Sequence, residues 1–250
     1  TIMDRDTKHY IEKKNIARKE LDVLVRDLCF HEIGHRGTRN YHGCPGTFEE
    51  LSEYFLEPIS EETGIRNKKA LHYIANSLTD LINDTITKKV SKEDGFTSHT
   101  GTFLFFKEQG KINEKFSEFY EAHVRLSVYF YGDKHDLRFL RKYFTNKKEV
   151  NLAIQNFLKK SGIDKLKEEI YINGKNVSIR SREKIREYLM NKDNWEKIAR
   201  AYAKTVAKLF KPSDMQYSLF GAGSNGACDN SGNDDSFNYD DNSYKDDENT

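Results

Sequence analysis

A chain of 250 residues, 36% apolar and 32% charged, is long enough to bury a core, and no apolar run in it approaches the ~18 residues needed to cross a bilayer. Its 16 Phe and 14 Tyr supply bulky packing groups. Three cysteines, Cys29, Cys44 and Cys228, with no C-x-x-C pair, argue against a disulfide framework and for a reducing compartment, by default the cytoplasm.

The net charge of +1 conceals a split. From Asp214 to the end, nine acidic residues stand against one lysine, which leaves that stretch at about −8 and the rest at about +9. "GAGSNGACDNSGNDDSFNYDDNSYKDDENT" has almost no aliphatic residues and cannot bury enough surface to offset the entropy of ordering it. Residues 214–250 therefore read as a disordered acidic tail behind one domain spanning residues 1–213.

In "NIARKELDVLVRDLCFHEIGH", Leu21, Leu24, Leu28, His31 and His35 recur every three or four residues, one face of a helix that stops by Gly37. The loop "GTRNYHGCPGT" leads to a second helix, "FEELSEYFLE", expected to end at Pro58. A third, "RNKKALHYIANSLTDLINDTITKK", is apolar at Leu71, Ile74, Leu78, Leu81, Ile82 and Ile86. "KEDGFTSHTGTFLFFKEQG" reads as a loop and a short apolar run. Helical spacing resumes from Ile112 to Tyr131 and in "VNLAIQNFLKK". "EEIYINGKNVSIRS" alternates around Asn173-Gly174 as a hairpin does. "SREKIREYLM" and "NWEKIARAYAKTVAKLF" return to helix. The expected class is α+β, mainly α with a small β component.

The chemistry centres on "HEIGH". His31 and His35 lie four residues apart on one helix face, so both imidazoles can reach a single metal ion. Glu32 is rotated about 100° from His31, which leaves it beside the metal, free to take a proton from an attacking water. H-E-x-x-H is the zinc-peptidase pattern for this reason. With 8 His and 21 Glu, chance would produce it in roughly one such chain in fifty, and chance matches fall mostly in loops or on wet faces. Here both histidines continue the leucine stripe toward the core, where two polar rings beside a glutamate are costly unless used. The bland alternative is a polar helix face satisfied by its neighbours.

A catalytic zinc takes three protein ligands. The metzincin third histidine would stand six residues after His35, whereas His42 stands seven after. In the third helix Asn76, Asp80 and Asp84 recur every four residues. Short Asn and Asp side chains compete for the backbone and are poor helix-interior choices, and a solvated stripe would more typically use Glu and Lys. Asp80 is the expected third ligand, with Asp84 and His42 as alternatives.

"HEIGH", "GCPGTFE" and "ANSLTDLIND" together resemble the zinc peptidases of archaea and bacteria associated with von Willebrand factor A-type proteins. "YEAHVRLSVYFYG" and "NWEKIARAYAKTVAKLF" are similar to their downstream helices, and the resemblance covers roughly residues 15 to 210. It implies a minimal gluzincin-like fold, a zincin-like metallopeptidase core in which His31 and His35 bind zinc, Asp80 supplies the acidic ligand and Glu32 is the base. It also implies a von Willebrand factor A-type partner protein. The insert "RGTRNY" and Asp84, where asparagine is expected, depart from the pattern.

Two other classes stand beside this reading. Arg66 and His72 have the R-x5-H spacing of helical HEPN ribonucleases, and the body is basic enough to attract RNA. A non-enzymatic module held together by a metal would have no use for Glu32, and structural zinc prefers four protein ligands. Cys29 reads as a small core residue and Cys44 as a packed thiol. Tyr73, Tyr120 and His123 are unranked candidates for stabilising an oxyanion. The expected function is a zinc-dependent metalloprotease acting on protein or peptide substrates, with zinc-activated water and Glu32 as general base. Neither a membrane nor a nucleic acid is an expected partner.

Overall fold

The helix expected to stop at Pro58 runs on past it in the computed structural model, which describes residues 48–93, 115–132, 140–172 and 175–217. Helix α1 consists of Phe48–Leu51, the π-helical turn Ser52–Leu56 and Glu57–Thr63. A proline inside a regular helix removes one hydrogen bond and clashes with the carbonyl four residues back. Here the Glu57 N–H reaches back five residues to the Ser52 carbonyl, so the turn before Pro58 is widened and the helix continues. It ends at Gly64, whose φ of 72° is left-handed and whose N–H closes on the Ser60 carbonyl at 2.9 Å. A Cβ at Gly64 would meet nothing within 4 Å. Gly64→Ala should therefore cost backbone strain alone, about 1 kcal/mol of unfolding free energy, measurable by urea denaturation.

Helix α2, Lys68–Glu93, starts where the Asn67 side chain accepts the Ala70 N–H at 3.0 Å. Its expected apolar face is buried at Ile74, Leu78, Leu81, Ile82 and Ile86. Helix α3, Glu118–Phe130, begins later than Ile112 because Ser117 caps it, its hydroxyl accepting the Tyr120 N–H at 3.2 Å. Helix α4, Lys148–Ser161, ends at Gly162, again left-handed with φ 84°. Strands β1 (Lys167–Ile172) and β2 (Lys175–Arg180) pair antiparallel. Their register, Ile172 opposite Lys175, leaves two residues between the strands. Asn173 and Gly174 themselves lie outside the described residues.

Ser181 caps helix α5, Arg182–Met190, by accepting the Lys184 N–H at 3.4 Å. Helix α6, Trp195–Ala203, is shorter than "NWEKIARAYAKTVAKLF" suggested. The Thr205 hydroxyl donates to the Ala201 carbonyl at 2.6 Å, the acceptor a continuing helix would offer to the Thr205 N–H. That N–H turns to Tyr202 instead at 3.1 Å, and the chain tightens into the 3-10 turn Val206–Leu209. A last 3-10 turn, Pro212–Tyr217, packs on α2 and α3.

The described fold is thus mainly helical, with one two-stranded antiparallel sheet. Helix α6 is its hub, touching α1, α2 and α4. Trp195, Tyr202, Phe55, Phe119, Phe130 and Phe157 are wholly buried in the main core, and full burial of one such apolar side chain is worth about 1.5–3 kcal/mol. The Trp195 Nε1–H donates to the Leu189 carbonyl at 2.7 Å, so its single polar atom is satisfied there. A second cluster joins Phe116, Tyr120, Val124, Leu140, Tyr143 and Phe144. Among the described residues no helix is long and apolar enough to cross a membrane. The "HEIGH" helix, the Cys-Pro loop and residues 218–250 of the acidic stretch lie outside the described residues.

Candidate functional site

Helix α2 carries polar side chains into the interior as well as apolar ones. Thr79, Asn83, Asp84 and Thr85 are all buried, with Asn83 fully so, and Asn76 and Asp80 are half-buried on the same stripe. The hydroxyls are inexpensive to bury because they bond the helix itself: Thr79 donates to the Asn76 carbonyl at 3.0 Å and Thr85 to the Leu81 carbonyl at 2.6 Å. A carboxylate cannot do that, since it has no proton to donate and every helix N–H past the first turn is already used. Asp84 instead accepts from the Tyr131 hydroxyl, at the end of α3, at 3.2 Å. Burial pushes the Tyr131 hydroxyl well above the usual phenol range, and the Asp84 carboxylate adds to it. Tyr131 thus stays a proton donor to Asp84 at any ordinary pH.

Tyr73 lies seven residues before Asp80, two turns along the same face of α2. Its ring packs against Phe119 (6.0 Å) and Phe210 (5.7 Å). Burial, followed by the charges of Asp214 and Asp80, raises its hydroxyl pKa. Tyr202, on α6, faces the same neighbourhood: burial, then Tyr73 and Asp80, raise its pKa. Tyr120 and His123 stack on each other at 6.3 Å, and Tyr120 belongs to the second aromatic cluster. Of the three oxyanion candidates, Tyr73 is the one that shares a helix with Asp80.

His31, Glu32, His35, His42, Cys29 and Cys44 lie outside the described residues. Of the expected ligands the described residues hold Asp80 and its alternative Asp84. Their carboxylate oxygens are donors that zinc accepts, and the stripe bearing them turns inward, which suits one edge of a ligand set completed by two imidazoles. Among the described residues no group of three or more His, Cys, Asp and Glu side chains is placed to hold a metal ion. Arg66 and His72 do not share a helix. Arg66 is exposed in the link before Asn67, whereas His72 is half-buried on α2, its pKa lowered by burial and then by Lys68.

Among the described residues, the most heavily bonded carboxylate was not singled out by its sequence. Glu121, fully buried on α3, accepts from the Thr145 N–H and Thr145 hydroxyl, each at 2.5 Å, and from the Asn146 N–H at 3.3 Å. It pairs with Arg125 at 3.2 Å, whose other nitrogen donates to Asn151 Oδ1 at 2.6 Å. Asn146 is left-handed, with φ 55°. This network fixes the approach to α4 and has the character of scaffold. Asp214 was also unmarked, since composition groups it with the acidic tail, yet it is 1% exposed. Comparison with protein-family models, curated proteins and solved structures finds no match to this chain.

Proposed function

We propose that this chain is a zinc-dependent peptidase with a zincin-like core, its metal held by His31, His35 and Asp80. The observation that carries the reading is the inward stripe of α2. A helix that sends Asn83 and Asp84 into the interior and keeps Asp80 half-buried incurs a desolvation cost that a solvated stripe avoids. A ligand role for Asp80 gives that cost a purpose, and the H-E-x-x-H pattern of residues 31 to 35 supplies the complementary donors. Asp84 accepts from the Tyr131 hydroxyl, and on this reading it holds its neighbours in position while Asp80 binds the metal.

Zinc at such a site supplies Lewis acidity and makes water nucleophilic at neutral pH. The remaining steps belong to the chain. Glu32 takes the proton from the attacking water as it adds to the scissile carbonyl, then delivers it to the departing amine. A von Willebrand factor A-type protein is the proposed partner, on the resemblance alone.

Metal content tests the ligand set. Purified wild type should hold one zinc per chain, while His35→Ala and Asp80→Ala should each lose most of it under dialysis at neutral pH. Equal zinc in wild type and His35→Ala, by elemental analysis, would remove the basis for this reading.

A further inference from the structure

No third strand joins either edge of the β1–β2 hairpin among the described residues. The phase of its ladder is fixed at the base, where the Ser181 N–H donates to the Leu166 carbonyl at 3.0 Å. Bonded and open pairs alternate along an antiparallel ladder, so Glu168 with Ile179 and Ile170 with Val177 are bonded pairs. Lys167, Glu169 and Tyr171 then point their N–H and C=O groups outward from β1. Asn176, Ser178 and Arg180 do the same from β2.

The two edges are not alike. On β1 the outward Lys167 carbonyl accepts from the Lys184 ammonium at 2.7 Å, and Lys167, Glu168 and Glu169 set charges in a row. Charges of this kind keep an edge from pairing. Strand β2 is uncharged from Asn176 to Ile179, contains no proline or bulge, and is exposed from Lys175 to Ser178, with Val177 39% exposed. At its other end the Arg180 guanidinium lies 4.5 Å from the centre of the Tyr129 ring. One face of the hairpin is apolar, carrying Ile170, Val177 and Ile179. Two strands with such a face are marginal in water, and further strands are what stabilise them.

We propose that the β2 edge pairs antiparallel with β2 of a second copy of this chain, giving a two-fold dimer with a four-stranded sheet. The sequence of β2 is self-complementary in the register centred on Ser178. Ser178 then faces Ser178 of the second copy, Val177 faces Ile179, Asn176 faces Arg180 and Lys175 faces Ser181. No like charges stand opposite each other, the outward groups of Asn176, Ser178 and Arg180 meet, and the two apolar faces join. The neighbouring register, centred on Val177, would set Lys175 against Ile179. Antiparallel pairing also sends the two bodies to opposite ends of the sheet. Pairing of Asn176 to Arg180 alone buries less than the roughly 1,200 Å² of a standard interface, so the dimer is weak and reversible. It does not depend on the proposed metal site.

Sedimentation equilibrium of the full chain over a range of micromolar concentrations tests this. Wild type should dimerise reversibly. Ser178→Pro removes an outward N–H that the β1–β2 ladder does not use, and should abolish the dimer. Two substitutions at exposed Asn176 keep the ladder whole and should act with opposite sign. Asn176→Lys, set against Arg180 of the second copy, should weaken dimerisation about tenfold or more, and Asn176→Glu should tighten it several-fold. Within one chain Asn176 stands opposite Tyr171, so neither variant places like charges together there. Loss in Ser178→Pro with opposite shifts in the two Asn176 variants supports the proposal. A wild type that stays monomeric, a dimer that survives Ser178→Pro, or Asn176 variants that shift it in the same direction or not at all would overturn it.

Discussion

Glu32→Gln should keep one zinc per chain and the wild-type unfolding midpoint while peptide hydrolysis falls by about 10²–10⁴-fold, the usual contribution of a positioned general base. The amide has the size and shape of the carboxylate and cannot take up a proton near neutral pH. None of the proposed ligands, His31, His35 and Asp80, is altered, so metal content serves as an internal control. A structural metal site would respond differently, with both variant and wild type holding zinc and neither hydrolysing peptides. Single-turnover assays on an unstructured protein substrate, paired with elemental analysis, distinguish these outcomes. Near-normal turnover in the variant would mean that another group is the base.

The second large effect concerns stability. Glu121→Ala should lower the unfolding free energy by about 3–5 kcal/mol, read as a fall in the urea midpoint at constant slope. Truncation leaves the Thr145 and Asn146 donors without their acceptor and Arg125 without its buried partner. Glu121→Gln should cost less, because one carbonyl oxygen still accepts while the new amide group faces donors. The exposed pair Arg186–Glu183, one turn apart on α5, gives the contrast: Glu183→Ala there should change stability by less than about 1 kcal/mol. A loss that small at Glu121 would show that its buried bonds are replaced by solvent.

What was legible in the residues followed from period and punctuation. The spacing of Leu78, Leu81 and Ile82 places the core face of α2, and Asn173-Gly174 between alternating runs marks the hairpin whose register leaves two residues for its turn. Elements were misjudged where a local rule met a longer-range accommodation. Pro58 reads as a terminator, and the widened turn before it depends on hydrogen bonds five residues apart that carry no composition signal. Thr205 reads as an ordinary helix residue until its hydroxyl takes the Ala201 carbonyl. Glu121 stands among charged neighbours in "SEFYEAHVR" and looks solvated; its partners Thr145 and Asn146 lie 24 and 25 residues further on. At the candidate site, the Asn and Asp stripe was visible as an anomaly of residue choice; of its members Asp84 is buried and Asn76 and Asp80 are half-buried. Tyr202 and Asp214 were invisible there, because tyrosine in an amphipathic helix reads as packing and Asp214 borders a run of acidic residues.

The position of α6 has a consequence for how the molecule is made. Arg200 of α6 bonds Glu61 and Glu62 of α1, 139 and 138 residues earlier, and Trp195 packs edge-on to Tyr54 and tilted against Phe55. These contacts close a long loop before they stabilise anything, which makes for slow folding. During synthesis α1 emerges first and waits for more than a hundred residues before its apolar partner leaves the ribosome. At about 5–20 residues per second that interval is on the order of ten seconds, during which Phe55 has no Trp195 to cover it. Holdase chaperones that bind exposed aromatic segments have their natural window there, and it closes when α6 docks.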